Sequence, residues 1–164
     1  MLVGVMSDSH DNLLKVRAAT TLFRKRGAEV ILHAGDVVAP FAVRAILKAG
    51  IPLVGVFGNC DGERTGMKKV CRTFYKSPHR FELDARVLVL AHDPEDLRGE
   101  VAAGADLLVH GHTHNPAVKQ GRPLVLNPGE TGGWLTGKSS VALVDLATLK
   151  VEIVDLGPQE TLEL

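Results

Sequence analysis

Val109-His110-Gly111-His112-Thr113-His114 is the stretch around which the rest of this chain is organised. It ends an apolar run and carries three histidines at a spacing of two. In extended backbone this spacing places alternate side chains on one side, so the imidazoles can converge on one point. Gly111 allows a close backbone approach or a positive φ. Since neutral imidazole is the commonest protein metal ligand, the stretch is either part of a metal site or a histidine-rich turn.

The overall composition of the 164 residues is that of an ordinary globular protein. Hydrophobic residues make up 45% and charged residues 23%, and the length suits one domain over residues 1–164 with a sizeable core. Lys and Arg together number 19, as do Asp and Glu, so the formal net charge is zero. This balance gives no overall electrostatic reason to expect nucleic acid or an anionic membrane as the main partner.

The cysteines and the N-terminus indicate the compartment. Cys60 and Cys71 show no CxxC spacing and no disulfide framework, which suits a reducing cytoplasm. The apolar run at residues 1–6 is too short and too uncharged for a signal peptide. No run approaches the roughly 20 apolar residues of a membrane span. We therefore expect a cytoplasmic protein without a membrane partner.

Strand and helix patterns alternate along most of the chain. We predict strands at residues 2–6, 29–33, 52–57, 80–83, 86–91 and 106–109, and helices at residues 11–26, 40–49, 63–73 and 94–103. Hairpin-like strand pairs follow within residues 117–126 and 141–155. Alternating elements followed by hairpins indicate an α/β architecture with a parallel part and an antiparallel part.

The first helix has a predicted start, stop and apolar face. Asp11 or Asn12 can cap its N-terminus, and Gly27 can end it. Its apolar positions are predicted at Leu14, Ala18, Thr21 and Leu22. Since Asp11 or Asn12 can serve as the cap, Asp8 is free for another role.

Five of the apolar strands end in polar residues of metal-binding type. These residues are Asp8, His10, Asp36, Asn59, His92, His112 and His114. Each has an ordinary alternative role, such as a helix cap for Asp8 or a turn for Asn59. In open α/β sheets, however, sites form outside the carboxyl ends of the strands. Five such strand ends in series therefore favour one shared site.

The donor atoms of this set are carboxylate and amide oxygens and imidazole nitrogens. They suit Mn²⁺, Fe, Zn²⁺, Ni²⁺ or Co²⁺ better than Ca²⁺ or a soft metal. Seven candidate ligands exceed what one tetrahedral ion needs, whereas two ions that share a carboxylate would use them well. Two-metal sites, with ions about 3.5–4 Å apart, catalyse phosphoryl transfer.

The order of these motifs resembles that of the calcineurin-like metallophosphoesterase superfamily. The matching motifs are DxH at Asp8 and His10, GD at Asp36, GN at Asn59, the single His92, and GHTH at His112 and His114. The short length and the Gly-Asn-Cys-Asp form look like the small bacterial and archaeal phosphodiesterase branch. The resemblance covers roughly residues 1–129. It implies a four-layer α/β/β/α sandwich of two mixed sheets flanked by helices.

The resemblance also implies two divalent ions per chain, with Mn²⁺ preferred and Ni²⁺, Co²⁺, Fe or Zn²⁺ as alternatives. One ion would be held by Asp8, His10, Asp36 and His114, and the second by Asp36, Asn59, His92 and His112, so that Asp36 bridges them. His110 is left outside the set. The implied reaction is in-line attack by a metal-bridging hydroxide on a small phosphodiester, with Asp36, Asn59 and His92 as the catalytic residues.

Two positions depart from the superfamily pattern. Cys60 replaces the histidine that commonly follows the Asn, and with Asn59 it is a candidate substrate-binding residue. A thiol is a poor general acid, so we expect aryl diesters to be hydrolysed faster than alkyl diesters. Glu130 stands where a serine is usual and opens a glycine-rich loop with Trp134. Trp134 is predicted to anchor this loop, with stacking on a substrate ring as the alternative.

Two other functions remain as alternatives. The first is a non-catalytic scaffold that binds protein partners, as in the small retromer subunit, which resembles this family with a degraded metal site. The second is a nuclease, for which zero net charge leaves only a short or single-stranded nucleic acid. The resemblance further implies a homodimer or homotetramer.

Overall fold

The computed structural model of the protein describes residues 1–158. Its strands are β1 (Leu2–Met6), β2 (Val30–His33), β3 (Leu53–Val56), β4 (Phe74–Tyr75), β5 (His79–Leu83), β6 (Arg86–Leu90), β7 (Leu107–Val109), β8 (Ala117–Lys119), β9 (Leu124–Asn127), β10 (Ser140–Asp145) and β11 (Lys150–Asp155). Its α-helices are α1 (Leu13–Arg26), α2 (Pro40–Leu47) and α3 (Arg64–Val70). Two 3₁₀ segments lie at Pro94–Leu97 and Gly99–Ala102.

The strands form two mixed sheets. The first sheet has the order β11-β10-β1-β2-β3-β4, in which β1 to β4 are parallel and β10 is antiparallel to both of its neighbours. The second has the order β5-β6-β7-β9-β8, with β6, β7 and β9 parallel and antiparallel strands at both edges. The predicted α/β architecture of two mixed sheets is therefore confirmed.

The inner faces of the two sheets pack against each other. Alternate residues of β1, Val3 and Val5, join one buried cluster with Leu88 and Leu90 of the second sheet. The intervening Gly4 faces α1, where a Cβ would lie 2.7 Å from the ring of Phe23. Side chains of β1 thus alternate between the second sheet and α1, so both faces of this strand are buried.

Helices α1 and α2 cover the outer face of the first sheet. Asn12 caps α1, and Gly27 ends it in the left-handed conformation with φ 76°, as predicted. The predicted apolar face of α1 is wrong at Leu14, Ala18 and Thr21, which are exposed, and only Leu22 packs on the core. The buried positions are Lys15, Val16, Ala19, Thr20 and Phe23, whereas Leu14 is 40% exposed. Val16 and Phe23, seven residues apart, lie on the same face of the helix and define its buried side. The aliphatic part of Lys15 is buried beside them, and its Nζ donates to the carbonyl of Gly157.

Two segments differ from the predicted secondary structure. The predicted helix at residues 94–103 is wrong, because the chain forms two 3₁₀ turns that are separated near Gly99, whose φ is 71°. Leu97 still packs on Val89 and Leu108, so these turns cover the outer face of the second sheet. The predicted helix at residues 63–73 ends earlier, at Val70, and β4 then adds an edge to the first sheet. Among residues 1–158, no helix combines the length and apolar character needed to cross a membrane.

Candidate metal centre

The loops that follow the parallel strands carry unusual backbone conformations. Five of the seven predicted ligands are non-glycine residues with positive φ: Asp8 (51°), His10 (41°), Asp36 (58°), His112 (67°) and His114 (61°). Each such residue costs roughly 1–2 kcal/mol, so this backbone persists only where surrounding contacts enforce it. The concentration of positive φ at one edge of the sheets marks a functional site.

Asp61 supplies contacts that enforce this backbone. Its buried carboxylate accepts hydrogen bonds from the backbone N–H groups of Asp36 at 3.0 Å, Val38 at 2.7 Å and Gly58 at 2.7 Å. Burial raises the pKa of Asp61, and these N–H donors oppose that shift. In the sequence, Asp61 is the last residue of the Gly-Asn-Cys-Asp motif. Its role is to hold the loops after β2 and β3 together, which no local pattern reveals.

Glycines allow the site loops to approach each other closely. A Cβ on Gly111 would lie 1.9 Å from Oγ of Ser7 and 2.6 Å from Oδ2 of Asp8. A Cβ on Gly58 would lie 2.1 Å from Oδ1 of Asp36. The expected close approach at Gly111 is therefore confirmed, and larger residues at either position would displace a site carboxylate.

Asp8, His10 and His114 form the first cluster. Oδ1 of Asp8, which is fully buried, lies 3.3 Å from Nε2 of His114 and 3.9 Å from Nε2 of His10. Its other oxygen, Oδ2, accepts hydrogen bonds from Oγ of Ser7 at 2.6 Å and from the backbone N–H of His112 at 3.1 Å. Asp8 is thus held through Oδ2, and Oδ1 faces the two imidazoles.

Asn59, His92 and His112 form the second cluster around Asp36. Nε2 of His92 lies 3.4 Å from Oδ2 of Asp36 and 2.9 Å from Oδ1 of Asn59. Nδ1 of His112 lies 3.1 Å from the same Asn59 oxygen. Nδ1 of His92 is 2.8 Å from the carbonyl of Ala34 and must donate to it. In neutral His92, therefore, the Nε2 lone pair faces oxygen lone pairs, an arrangement that a proton or a cation relieves.

The pKa values of this cluster reflect the same geometry. Burial disfavours the charged form of His92, but the hydrogen bond and charge of Asp36 outweigh it and raise the pKa of His92 to about 8. Burial also opposes ionisation of Asp36, but His92 and the backbone N–H of Cys60, 2.8 Å from Oδ1, hold the pKa of Asp36 well below its ordinary value. Asp36 is an anion at neutral pH.

The buried polar atoms show that the residues fit a cation. Oδ1 of Asp8 and Nε2 of His10 are buried without a hydrogen-bond partner and lie 3.9 Å apart, whereas Nδ1 of His114, which also lacks one, faces Glu130 at 3.4 Å. An unsatisfied buried polar group costs about 1–3 kcal/mol, and more when it is charged. Three sets of donor atoms lie within 4.8 Å of one another: Asp8, His10 and His114; His10, Asp36 and Cys60; and Asp8, Asp36 and His92. Oxygen and imidazole donors at this spacing suit divalent transition metals.

All seven predicted ligands thus meet at one edge of the two sheets, and their function as ligands is a proposal. His110 points elsewhere, with Nδ1 3.0 Å from the carbonyl of Gly111 and 3.5 Å from Nδ2 of Asn127. It belongs to none of the three donor sets found within residues 1–158. Of the three histidines in this stretch, only His112 and His114 point towards the other candidate ligands.

Glu130 is a site residue that sequence reasoning did not assign. Its buried carboxylate accepts hydrogen bonds from the backbone N–H groups of Leu135 and Thr136, both at 2.9 Å, and Oε2 lies 3.4 Å from Nδ1 of His114. Burial opposes its ionisation, but these donors lower the pKa of Glu130 below its ordinary value. Glu130 therefore connects the following loop to a candidate ligand. Its departure from the superfamily pattern was the available signal.

The loop after Glu130 forms one wall of the site. Nε1 of Trp134 donates to the carbonyl of His10 at 3.1 Å, a contact that ties the loop to the candidate site, while Trp134 remains 56% exposed. Leu135, which is 78% exposed, lines a cavity of about 510 Å³ together with Asp36, Asn59 and Cys60. The cavity thus combines an apolar side chain, Leu135, with the charged and polar candidate ligands.

Cys60 lies at the mouth of this cavity with a free, exposed thiol. Desolvation and the neighbouring Asp36 carboxylate raise the pKa of the Cys60 thiol to about 11. Nδ2 of Asn59 donates to its sulfur at 3.4 Å. A neutral thiol beside the candidate ligands is a weak proton donor and a weak nucleophile.

Comparison with known proteins adds to this geometry. The calcineurin-like phosphoesterase superfamily domain matches residues 1–149. Phosphodiesterase MJ0936 of Methanocaldococcus jannaschii is 29% identical over 154 residues, covering 88% of this chain and 93% of that protein. A solved structure of a novel archaeal phosphodiesterase matches with a TM-score of 0.86 at 27% identity, covering 94% of this chain and 99% of the other. Vps29 of Entamoeba histolytica, solved with Zn²⁺, matches with a TM-score of 0.66 at 19% identity, covering 96% and 100%, which shows the fold alone.

Proposed function

Because this chain belongs to the calcineurin-like phosphoesterase superfamily and is therefore a hydrolase of phosphoric esters, we propose that it hydrolyses phosphodiesters with the help of two divalent cations. The observation that carries the proposal is the position of Asp36. Its Oδ2 lies 3.7 Å from Nε2 of His10 and 3.4 Å from Nε2 of His92. One carboxylate that faces both histidine clusters is the arrangement that two neighbouring cations need.

The two cation positions divide the seven candidate ligands between them. Asp8, His10, Asp36 and His114 would hold the first cation, and Asp36, Asn59, His92 and His112 the second. Hydrogen bonds outside this set orient it, as when the carbonyl of Ala34 fixes His92 with Nε2 towards Asp36. Mn²⁺ is the ion that the family resemblance favours, and Zn²⁺, which suits imidazole donors and which the Entamoeba histolytica Vps29 structure contains, is an alternative.

Held by these residues, two divalent cations would supply Lewis acidity to the phosphoryl oxygens and would lower the pKa of a water for attack on phosphorus. The chain itself fixes where this chemistry happens. Asp61 and the N–H of Cys60 hold the loop and carboxylate of Asp36 in place. Asn59 lines the cavity, and its Nδ2 can donate a hydrogen bond to a phosphoryl oxygen.

A diester is the proposed substrate class because the relative MJ0936 is a phosphodiesterase. Among the described residues, no Lys or Arg lines the cavity that contains Cys60, whereas the adjoining cavity of about 290 Å³, which also contains Asn59, is lined by Arg64 and Lys76. Leu135 offers an apolar surface to the group attached to the phosphate. Since the position after Asn59 is a thiol and not an imidazole, protonation of a poor leaving group is weak. Aryl diesters are therefore the preferred substrates.

The experiment is metal-dependent hydrolysis of an aryl phosphodiester and the matching monoester. The protein is stripped of metal, reloaded with Mn²⁺ and compared with Asp36→Ala and His92→Ala. His110→Gln is the matched control, since it changes a histidine of the same stretch that lies outside the donor sets. The expected result is activity that requires metal, prefers the diester, disappears in both site variants and survives in the control. Activity that persists in Asp36→Ala would contradict the proposal.

The scaffold function remains the second candidate, because the fold is shared with Vps29 at low identity. The unpartnered buried atoms of Asp8 and His10, which face each other, argue against a degraded site. Metal bound at nearly two ions per chain without hydrolysis of any aryl diester, under Mn²⁺, Ni²⁺ or Co²⁺, would favour the scaffold instead.

A further inference from the structure

A basic groove lies between α1 and α2, on the outer face of the first sheet. It encloses about 540 Å³ and is lined by Arg17 and Arg24 of α1, by Arg44 and Lys48 at the end of α2, and by Phe41. Arg17 and Arg24 are two helical turns apart, so their Cα atoms are about 10 Å apart along the axis. The groove is therefore lined by two cations from α1 and two from the end of α2.

This charge has no local compensation. The sequences of α1, α2 and α3 contain no Asp or Glu, although the chain as a whole has zero net charge. Within residues 1–158, none of the four groove cations, Arg17, Arg24, Arg44 and Lys48, forms an ion pair. Arg26, at the end of α1 and outside the groove, pairs with Glu152. Folding thus separates charges that the composition balances, and the groove carries an unneutralised positive potential.

Phe41 adds a second kind of recognition. Its ring is 49% exposed in the first turn of α2 and forms part of the groove lining. Aromatic side chains beside a cationic groove are platforms on which nucleic acid bases stack. Guanidinium groups match phosphate oxygens with two parallel hydrogen bonds, and three of the four cations are Arg.

We propose that this groove binds single-stranded nucleic acid, with phosphates on Arg17, Arg24, Arg44 and Lys48 and a base on Phe41. The concave shape disfavours a flat membrane surface, and an acidic peptide would leave the exposed ring of Phe41 without a matching group. The proposal is independent of the hydrolytic site, because no groove residue belongs to the candidate ligands. The local positive charge of the groove can attract nucleic acid although the net charge of the whole chain is zero.

The test is binding of a fluorescein-labelled twelve-residue oligothymidylate to the full chain after metal removal, so that no hydrolysis occurs. Fluorescence anisotropy is measured at several salt concentrations. Four phosphate contacts to a single strand predict a slope of about −2.8 in log affinity against log salt. Arg44→Ala is expected to reduce that slope by about 0.7. Phe41→Ala is expected to lower affinity about tenfold without changing the slope.

Lys25→Ala is the matched control, because it removes an exposed cation of α1 that does not line the groove. It is expected to bind as the wild type does. Thermal melting of each variant shows whether it is folded, and the exposed positions of Arg44 and Phe41 predict unchanged melting. Equal affinity of wild type and a variant lacking Arg17, Arg44 and Lys48 would overturn the proposal. Tighter binding of duplex DNA, a poly-glutamate peptide or anionic phospholipid vesicles would overturn it as well.

Discussion

The carboxylate of Glu130 lies 3.4 Å from Nδ1 of His114, on the side of the imidazole away from Asp8. The same carboxylate accepts the backbone N–H groups of Leu135 and Thr136. One buried acid therefore orients a candidate ligand and fixes the loop that forms one wall of the site. Carboxylates in this position beyond a metal ligand set the tautomer and basicity of the imidazole.

Glu130→Gln is expected to weaken cation binding at the first position by about 10- to 100-fold, because the amide cannot supply the charge that favours Nδ1–H of His114. Competition with a chelating dye measures the affinity. Glu95→Gln, which changes an exposed glutamate in a 3₁₀ turn, serves as the control. Unchanged affinity in Glu130→Gln would show that the loop contacts are its only role.

Asp61→Asn is expected to lower the free energy of unfolding by roughly 2–4 kcal/mol, since an amide group cannot accept all three backbone N–H bonds. Chemical denaturation of the metal-free protein measures this loss. Activity is expected to fall too, because the loop of Asp36 loses its support. A variant with wild-type stability would contradict the assigned role. Asp96→Asn, at an exposed position, controls for the change in charge.

His33 predicts a pH dependence of stability. It is fully buried, its Nδ1 accepts the backbone N–H of Gly35 at 3.2 Å, and its Nε2–H donates to Oγ of Ser9 at 2.9 Å. Burial lowers the pKa of His33 from 6.5 to about 3. Between these pH values the unfolded chain binds a proton that the folded chain excludes. The stability from neutral His33 is therefore complete above about pH 6.5 and is lost as the pH falls towards 3.

The measurement compares wild type with His33→Gln, whose amide can keep both hydrogen bonds without titrating. Urea denaturation at pH 7, 5.5 and 4.5 should give a wild-type stability that falls more steeply, by up to about 1.4 kcal/mol per pH unit, than that of the variant. Parallel pH dependences would mean that folding does not lower the pKa of His33.

Cys60→His is expected to raise the rate on alkyl diesters more than the rate on aryl diesters. An imidazole beside Asn59 can protonate a poor leaving group, whereas the thiol, whose pKa is about 11, cannot do so efficiently. The ratio of the two kcat/KM values is the readout. Cys60→Ser controls for loss of the thiol and should leave the ratio unchanged. An unchanged ratio in Cys60→His would place proton donation elsewhere.

Sequence patterns determined much of this protein because they reflect local physics. Asn12 begins α1 and Gly27 ends it, and each does so through hydrogen bonds to backbone groups within about one turn of its own position. The apolar strands end where polar residues begin. The parallel order of β1, β2 and β3 made Asp8, Asp36 and Asn59 converge, since carboxyl ends of parallel strands share an edge. The family, the fold class and the convergence of the seven strand-end residues followed from these patterns.

Other features depended on contacts between distant parts of the chain. The buried face of α1 differs from the predicted one, because packing on the first sheet determines which side of the helix is buried, and that side carries Val16 and Phe23. Residues 94–103 were predicted as one helix, but docking of Leu97 on the second sheet stabilises two shorter turns. In the sequence Asp61 has no assigned role and Glu130 is only a departure from the superfamily pattern. Each acquires its role from N–H donors that folding supplies.

The sequence by itself therefore determined which chemical groups this protein has and which strands deliver them, since side-chain type and strand order are encoded locally. Only the tertiary structure decided how those groups are held and where the charge lies. Asp36 faces both histidine clusters because Asp61 fixes its loop from 25 residues away. The helices collect cations on one face although the total charge is zero. Both outcomes depend on distances through space, which the order of residues does not contain.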